Sequence, residues 1–449
     1  MDNYYDVVVV GGGTSGVVSA IAAAKKGAKT LLVERYGFLG GSANYGFPFL
    51  AFFSGNGEKV VGGIAEDIVQ RLIKEQGSKG HMRGGKWKTE ENYEFSLTPY
   101  EPEIYKYIAQ EMAGENNVNL ALHSYLLGTI VSCNRIVGIE ILTKSGRKTI
   151  YGNTFIDASG DADLSNLAGA PFEYSAVDSM QNVTLTFVLD NVNLEKMFED
   201  LQNDGNIKGR DDWHVRLVRG EKIGTDKKDG IVHMAGHMSL WDDKTPMSFT
   251  AVSWREDMVS LNLTRTVNID PVDGKSIVDG EISERRNVVN TFKQCQKRIP
   301  GMEKCYLIKT AHQVGVRESR RVIGEYCITE EDVVNCRRFE DGIARGAYPI
   351  DIHDPKGGKT QFTFLKNGGS YSIPYRCMIP KNIDNLIVTG RIISATHAAL
   401  GSTRLQATCM ALGEAAGVAA AFSAKNKVVP RNINVDELKR TLIADKAII

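Results

Sequence analysis

The chain has 449 residues, too long for one ordinary domain, and its 42% apolar content is enough for large buried cores. Its 54 basic and 54 acidic residues cancel, so it lacks the global field that would favour nucleic acid or an anionic membrane surface. Seven cysteines stand at positions 133, 295, 305, 327, 336, 377 and 409, with no C-x-x-C pair. An odd, scattered set points to a reduced, cytoplasmic chain and away from a disulfide redox centre, an iron–sulfur cluster or a c-type haem. No cluster has zinc spacing, so no metal is expected.

Met1-Asp2-Asn3 leads straight into an apolar strand, without the basic start and small-residue cleavage site of a signal peptide. No apolar run reads as long enough to span a bilayer. Residues 5–10 predict a buried parallel strand, 15–26 a helix rich in Ala and Val, and 29–34 a second strand. Together they form a βαβ unit. Residues 37–58 are rich in Gly, Phe and small residues and read as a loop held against a ligand. Helices are expected at 62–76 and, after Pro102, at 101–115. The stretch 79–100, with His81, Arg83 and Trp87, reads as irregular. Residues 118–157 alternate in short runs with turns at Asn134 and Ser145-Gly146, which predicts a small β-meander ending on a buried strand, 154–157.

From about 176 to 374 the character changes. Strands are expected at 182–190, 247–254 and 258–264, and a long helix at 276–298 closed by Pro300-Gly301. No second glycine-rich phosphate turn occurs there, so this region reads as a second domain covering the first. After Pro380, residues 385–389 predict a buried strand and 402–423 a helix. That helix would begin at a capping Ser402 or Thr403. Its Ala411, Gly413, Ala416 and Gly417 would allow close packing. The expected division is 1–175, 176–374 and 375–449, with the first and last segments forming one domain.

The strongest local signal is Gly11-Gly12-Gly13-Thr14-Ser15-Gly16, a G-x-G-x-x-G turn between strand and helix. Gly11 permits the tight turn, Gly13 lets the backbone approach a pyrophosphate, and Gly16 lets the helix pack on the sheet. Thr14 and Ser15 open the helix, whose N-terminus offers free N–H groups to phosphate. Glu34 closes the next strand 18 residues after Gly16, the place for a carboxylate that accepts ribose hydroxyls and repels a 2′-phosphate. Arg35 follows it.

The turn alone does not choose between NAD and FAD; the layout does. The chain runs from the βαβ unit into Gly40-Gly41-Ser42-Ala43-Asn44, then the meander, then Asp157-Ala158-Ser159-Gly160-Asp161, and returns at 385–391 with Gly390 and Arg391. This order resembles the glutathione-reductase-like class of FAD proteins over roughly 1–175 and 375–449. The resemblance implies an α/β fold: a Rossmann-type FAD-binding domain built from discontinuous segments, with an inserted α+β substrate or cap domain. Gly41, Ser42, Asp157, Ser159, Gly160, Asp161, Gly390, Arg391, Ser402 and Leu405 then join the fingerprint as FAD-binding residues. The last helix would point its positive end at the flavin pyrimidine.

Further segments resemble a large bacterial family of FAD-dependent oxidoreductases: Tyr100-Glu-Pro-Glu103, Gly169-Ala-Pro-Phe172, the run 316–326 with Arg-Glu-Ser-Arg-Arg, the run 348–353 ending Asp-Ile-His, Tyr371 to Arg376, and Thr396 to Arg404. Fumarate-reductase-type flavoproteins carry a comparable histidine-led stretch, but Gly401 stands where their substrate-gripping arginine would be. Fumarate or succinate chemistry is therefore not implied.

In such an enzyme the flavin performs the redox step and the protein supplies orientation and a proton carrier. His353 is the first choice for acid/base work, because alternation puts Asp351 and His353 on one face of a strand. His397, between a strand-end turn and the last helix, is expected to face flavin or substrate. Arg317 and Arg320 suit a carboxylate, a sugar hydroxyl or an oxyanion, or else buried ion pairs with Glu318 and Glu325. Arg404 in the first helical turn opposes the dipole and so asks for a specific partner. Tyr348, Tyr371 and Tyr375 read as flavin-covering or core aromatics. No His or Cys suggests a covalent flavin bond, so FAD is expected to be non-covalent.

The leading expectation is hydride transfer between flavin N5 and a small polar organic substrate, either oxidation of an alcohol or sugar or reduction of an activated double bond. An NAD(P)H-dependent flavin reductase or electron-transfer subunit is one alternative, and a non-enzymatic FAD-binding protein another. The expected partner is a small-molecule substrate, with no nucleic acid and no membrane. NAD(P)H, a separate redox partner and homo-oligomerisation stay open.

Overall fold

The register of four parallel strands decides where this chain can bind anything. Strand Tyr4–Val10 pairs parallel with Thr30–Val33 on one side and Gly146–Asp157 on the other, and Leu386–Val388 adds to the far side of the latter. Val10 stands opposite Val33 and Asp157, and Asp157 opposite Val388. Four strand ends therefore stop level, and the residues leaving them converge on one edge. A crevice at the carboxyl ends of such strands is where open α/β sheets bind ligands. The computed structural model describes residues 2–86, 93–197, 216–223, 228–238, 247–252, 255, 257–356 and 360–449. Trp87 and the last two positions of the strand expected at 247–254 lie outside them.

The sheet is completed by Asn119–Ala121 beside the second strand and by the antiparallel meander Tyr125–Ser132, Arg135–Thr143 and Gly146–Asp157. The continuous apolar run of the first strand is explained by burial on both faces, with Val7, Val8 and Val9 fully inaccessible. Helix Thr14–Lys25 packs against Gln406–Asn426 through small residues. A Cβ on Gly413 would come within 2.4 Å of the Ser15 carbonyl oxygen, and one on Gly417 within 2.2 Å of that of Ser19. Helix Gln406–Asn426 is long and apolar enough to cross a bilayer, contrary to expectation, but 83% of its apolar window is buried inside the protein.

Among the described residues a second, antiparallel sheet has nine strands in the order 306–310, 187–190, 259–261, 247–252, 228–238, 216–222, 82–86, 94–98 and 49–50. Three of these come from the first 100 residues, where a loop and an irregular stretch were expected. Met82-Arg-Gly-Gly-Lys86 lacks apolar alternation; its pairing with Glu94–Thr98 and with 216–222 makes it a strand. Strands 306–310 and 228–238 were likewise not anticipated. A separate apolar core lies under this sheet, formed by Phe187, Leu189, Leu261, Val288, Cys295 and Met302 with helix Gly274–Arg298. The main core extends past the expected boundary at 374: Val322, Ile328, Ile343, Ile350, Tyr371 and Ile373 pack with the first sheet.

The terminal helical region also differs from expectation. It is two helices, His397–Thr403 and Gln406–Asn426, broken at Arg404 and Leu405. Thr396 caps the first through the Ala399 amide. Ser402 is no cap: its hydroxyl donates to the Tyr348 carbonyl at 2.5 Å and meets the Tyr371 hydroxyl at 2.7 Å.

Candidate functional site

At the converging strand ends lies a cavity of about 820 Å³. That is within the range of a cofactor pocket. Its floor is the glycine turn. Gly11 has φ of +100°, and a Cβ there would strike the Ala158 carbonyl at 2.4 Å. A Cβ on Gly16 would lie 1.8 Å from the Gly11 carbonyl oxygen, so the helix can approach the turn this closely only because Gly16 carries no side chain. Gly13 differs: a Cβ there would meet no protein atom within 4 Å. Its face is open to the cavity, which it lines with Gly11, Thr14 and Ser15.

Glu34 is buried on the same wall. Its Oε2 accepts from the Gly12 amide at 2.7 Å and its Oε1 from the Tyr36 amide at 2.9 Å. Each oxygen keeps a lone pair for a further donor. Burial raises the Glu34 pKa, opposed by those two amides and by Arg35. Arg35 also lines the cavity, donating to Gln313 at 3.1 Å and lying over the Tyr36 ring. The Gly40–Ser42 turn is pressed against the first one, with the Gly40 amide donating to the Gly12 carbonyl at 2.7 Å.

Gly41, Ser42, Ser159, Gly160, Asp161, Gly390 and Arg391 all line the cavity, as do Arg317 and Arg404. Arg391 is held by the Gly160 carbonyl at 2.5 Å, the Val316 carbonyl and the Asp161 carboxylate. Asp157 does not reach the cavity wall. Its Oδ1 takes the Ser159 amide and hydroxyl and its Oδ2 the Ser165 amide and hydroxyl, so it shapes the turn from beneath. Ser402 and Leu405 are also off the wall; Gln406 and Cys409, one turn on, are on it.

Several wall residues were not anticipated. His312 and Gln313 come from the second region, as do Ile277, Val278 and Glu281 of its long helix. Nothing local in their sequence marks them. Gln406 had a signal, the start of the last helix, but the helix was expected four residues early. His312 Nε2, Thr389 Oγ1 and Gln406 Oε1 are buried without a hydrogen-bond partner and border the cavity. Neither Gly13 nor Leu405, the residues preceding the two helices that open here, supplies a side-chain cap. Orphaned polar atoms, uncapped helix starts and an open glycine face are what an extended polar cofactor would complete. The residues therefore fit FAD.

The catalytic candidates separate. Arg317 donates Nη1 to the Asn182 carbonyl and side-chain oxygens at 2.6 and 3.1 Å, not to Glu318 or Glu325. Arg320 bonds instead to Asp161 and Asp163. Burial raises Asp163 to about 6, with Asp161 and Asp157 adding to it. His353 and Asp351 do share a strand face: His353 Nε2 lies 3.4 Å from Asp351 Oδ1, and Nδ1 lies 3.1 Å from the Thr360 hydroxyl. Burial and Arg317 hold His353 down to about 3, against the pull of Asp351. It is neutral at neutral pH and off the cavity wall. Tyr348 is buried beside Phe95, and burial drives its hydroxyl well above the ordinary range. Tyr371 and Tyr375 are core residues.

His397 is also off the cavity wall, with its side chain 35% exposed. Its Nδ1 is bonded to Glu318, the residue following Arg317. Burial would raise Glu318, but hydrogen bonds from His397 and Ser175 and the charges of His397 and Arg321 hold it to about 2. Glu318 was not recognised as a site residue, because a carboxylate inside an Arg-rich run reads as a simple ion-pair partner.

The family described as FAD dependent oxidoreductase matches residues 6–442. A 40-residue stretch is 62% identical to the dihydrolipoyl dehydrogenase of Trypanosoma brucei brucei, covering 9% of this chain and 8% of that enzyme. Among solved structures, the p-nitrophenol 4-monooxygenase of Pseudomonas putida is similar with a TM-score of 0.50 at 9% identity, covering 99% of this chain and 85% of that one. A geranylgeranyl bacteriochlorophyll reductase-like protein of Thermoplasma acidophilum gives 0.49 at 15% identity, covering 99% and 84%. At such identities the monooxygenase likeness speaks to fold alone.

Proposed function

The chain belongs to the FAD dependent oxidoreductase family, and on that premise we propose that it transfers a hydride between the flavin and a small polar organic substrate, in a glutathione-reductase-like layout whose nine-stranded sheet forms the substrate side. FAD bound here would supply the redox chemistry, as hydride acceptor or donor. FAD would be held without a covalent bond: Gly13, Thr14 and Ser15 beneath the pyrophosphate, Glu34 for the ribose hydroxyls, and Gly41, Ser42, Gly390 and Gln406 along the remainder.

The observation that carries this reading is the continuity of one cavity from the Gly11–Ser15 turn to Arg317 and Arg404. A dinucleotide site lined also by two half-buried guanidiniums has a place to orient a polar group beside the cofactor. Glu318 is hydrogen-bonded to one ring nitrogen of His397 and so fixes the orientation of the ring. His353, kept neutral by its surroundings, positions Asp351 behind Arg404. In the oxidative direction a substrate C–H bond would yield the hydride, and its O–H proton would reach His397 by way of water, since that ring lies off the cavity wall. In reduction of an activated double bond the hydride and the proton would be delivered to its two carbons.

The test is the visible spectrum of the purified protein before and after anaerobic addition of alcohols, sugars, polyols, hydroxy acids and NAD(P)H. Bleaching of a two-banded flavin spectrum by an organic donor supports hydride transfer. Bleaching by NAD(P)H alone favours the flavin-reductase reading. A protein that cannot be loaded with FAD sinks the proposal.

A further inference from the structure

We propose that the substrate carries a carboxylate and that Arg317 and Arg404 form its binding pair. The inference rests on the proposed function, since it names the substrate class for the same cavity. Both guanidiniums line that cavity, and the Arg404 side chain is only 10% exposed. Their bonds go to neutral acceptors. Arg317 donates to the two oxygens of Asn182, and Arg404 to the carbonyls of Arg317 and Asp351 at 3.1 and 3.0 Å.

Negative charge is scarce around them. Among the described residues no carboxylate lies within ion-pair distance of Arg317, and the Asp351 carboxylate is 4.0 Å from Arg404. Asp351 also lies 3.4 Å from His353, and with Asp354 it opposes the charge of Arg265. The other acids nearby are committed: Glu318 to Arg321 and His397, Asp161 to Arg391, and Glu284 to the hydroxyls of Thr264 and Thr266 and the Leu185 amide. Among the described residues Asp351 is thus the single carboxylate within ion-pair reach of either Arg317 or Arg404, at the limit of that reach from Arg404. Burial, with Arg265 and Arg404, pushes Arg317 down to about 9, and Asp351 and Glu284 offset this only in part. A neutral sugar or alcohol would leave that excess in place. A carboxylate would neutralise it and match the planar donor fork of arginine.

The test uses the FAD-loaded protein and matched probes: acetate with acetamide, and benzoate with benzamide. Binding is read by the flavin difference spectrum and by thermal shift. The acids are expected to give a saturable response, and each amide to bind at least about tenfold more weakly, as loss of a charge-assisted pair requires. Arg317→Gln should abolish the acid response with FAD retained. Arg317→Lys, which keeps the charge but not the fork, should weaken it. Equal responses to acid and amide, no response to any acid, or an acid response surviving in both Arg317→Gln and Arg404→Gln would overturn the proposal. So would loss of FAD from both Arg317 variants, which would assign that charge to the cofactor. A neutral donor that bleaches the flavin at a rate untouched by carboxylates sinks this inference and leaves hydride transfer standing. Failure to take up FAD sinks both.

Discussion

His397 Nδ1 lies 2.8 Å from Oε1 of Glu318, and the Glu318 side chain is fully buried while the histidine is about one-third exposed. The same carboxylate oxygen accepts from Arg321 at 2.8 Å and Ser175 at 2.6 Å. Such a pair fixes one ring nitrogen and leaves the other for proton traffic. Replacing His397 with Gln should slow substrate-driven flavin reduction by about 10²-fold with FAD content unchanged, as read by anaerobic stopped-flow absorbance. A reduction rate equal to that of the unaltered protein would remove His397 from the proton path.

Glu318 also carries a stability signature. Its folded pKa of about 2 lies below its ordinary value of 4.5. A lowered carboxylate stabilises the fold fully above the unfolded value, and the contribution is lost as pH falls from about 4.5 through about 2. Glu318→Gln should cost roughly 3 kcal/mol at pH 7, because it leaves Arg321 buried beside a neutral partner. It should also flatten the acid limb of a denaturation profile. An acid limb identical to that of the parent would contradict this.

Gly13 and Gly16 make opposite predictions from the same change. A Cβ on Gly16 collides with the Gly11 backbone, whereas one on Gly13 enters only the cavity. Gly16→Ala should lower the melting temperature of the FAD-free protein. Gly13→Ala should leave that temperature close to the parent value and release FAD, followed by flavin fluorescence in the filtrate. Tight FAD retention in Gly13→Ala would show that the cofactor backbone does not approach there.

Removing the Glu34 carboxylate strands two amides, those of Gly12 and Tyr36. Each such loss is worth about 1–3 kcal/mol. Glu34→Ala should therefore weaken FAD retention by at least about tenfold, with Glu34→Gln intermediate. Equilibrium dialysis with flavin absorbance measures it, and unchanged retention would refute the role of Glu34.

Glu414 lies in the buried helix Gln406–Asn426 and accepts from the Ile64 amide at 2.9 Å. Burial raises its pKa to about 7 despite that hydrogen bond. The folded state then holds the proton more tightly than the unfolded one. Its contribution is complete below about 4.5 and is lost as pH rises through about 7, roughly 3 kcal/mol across the window. Glu414→Gln keeps an acceptor for Ile64 and carries no charge. It should be the more stable protein at pH 8 and match the parent near pH 5. Parallel stability curves over that range would show that Glu414 does not titrate as described.

The βαβ unit, the glycine turn and Glu34 were legible in the sequence because their geometry is local. A turn that needs φ of +100° at Gly11, a helix that must touch Gly11 through Gly16, and a carboxylate at the next strand end lie within 24 residues. The meander was legible for the same reason, its turns at Asn134 and Gly146 having positive φ. Strand 82–86 was not, since its conformation comes from partners as distant as residue 222. Nor was the helix break at Arg404 and Leu405. Only the tertiary structure brought His312, Gln313, Arg317 and Arg404 to the cavity, set Asp157 beneath it and His353 beyond it, and paired His397 with Glu318. These relations join segments up to hundreds of residues apart, and the charge states that follow depend on burial, which a linear pattern does not encode.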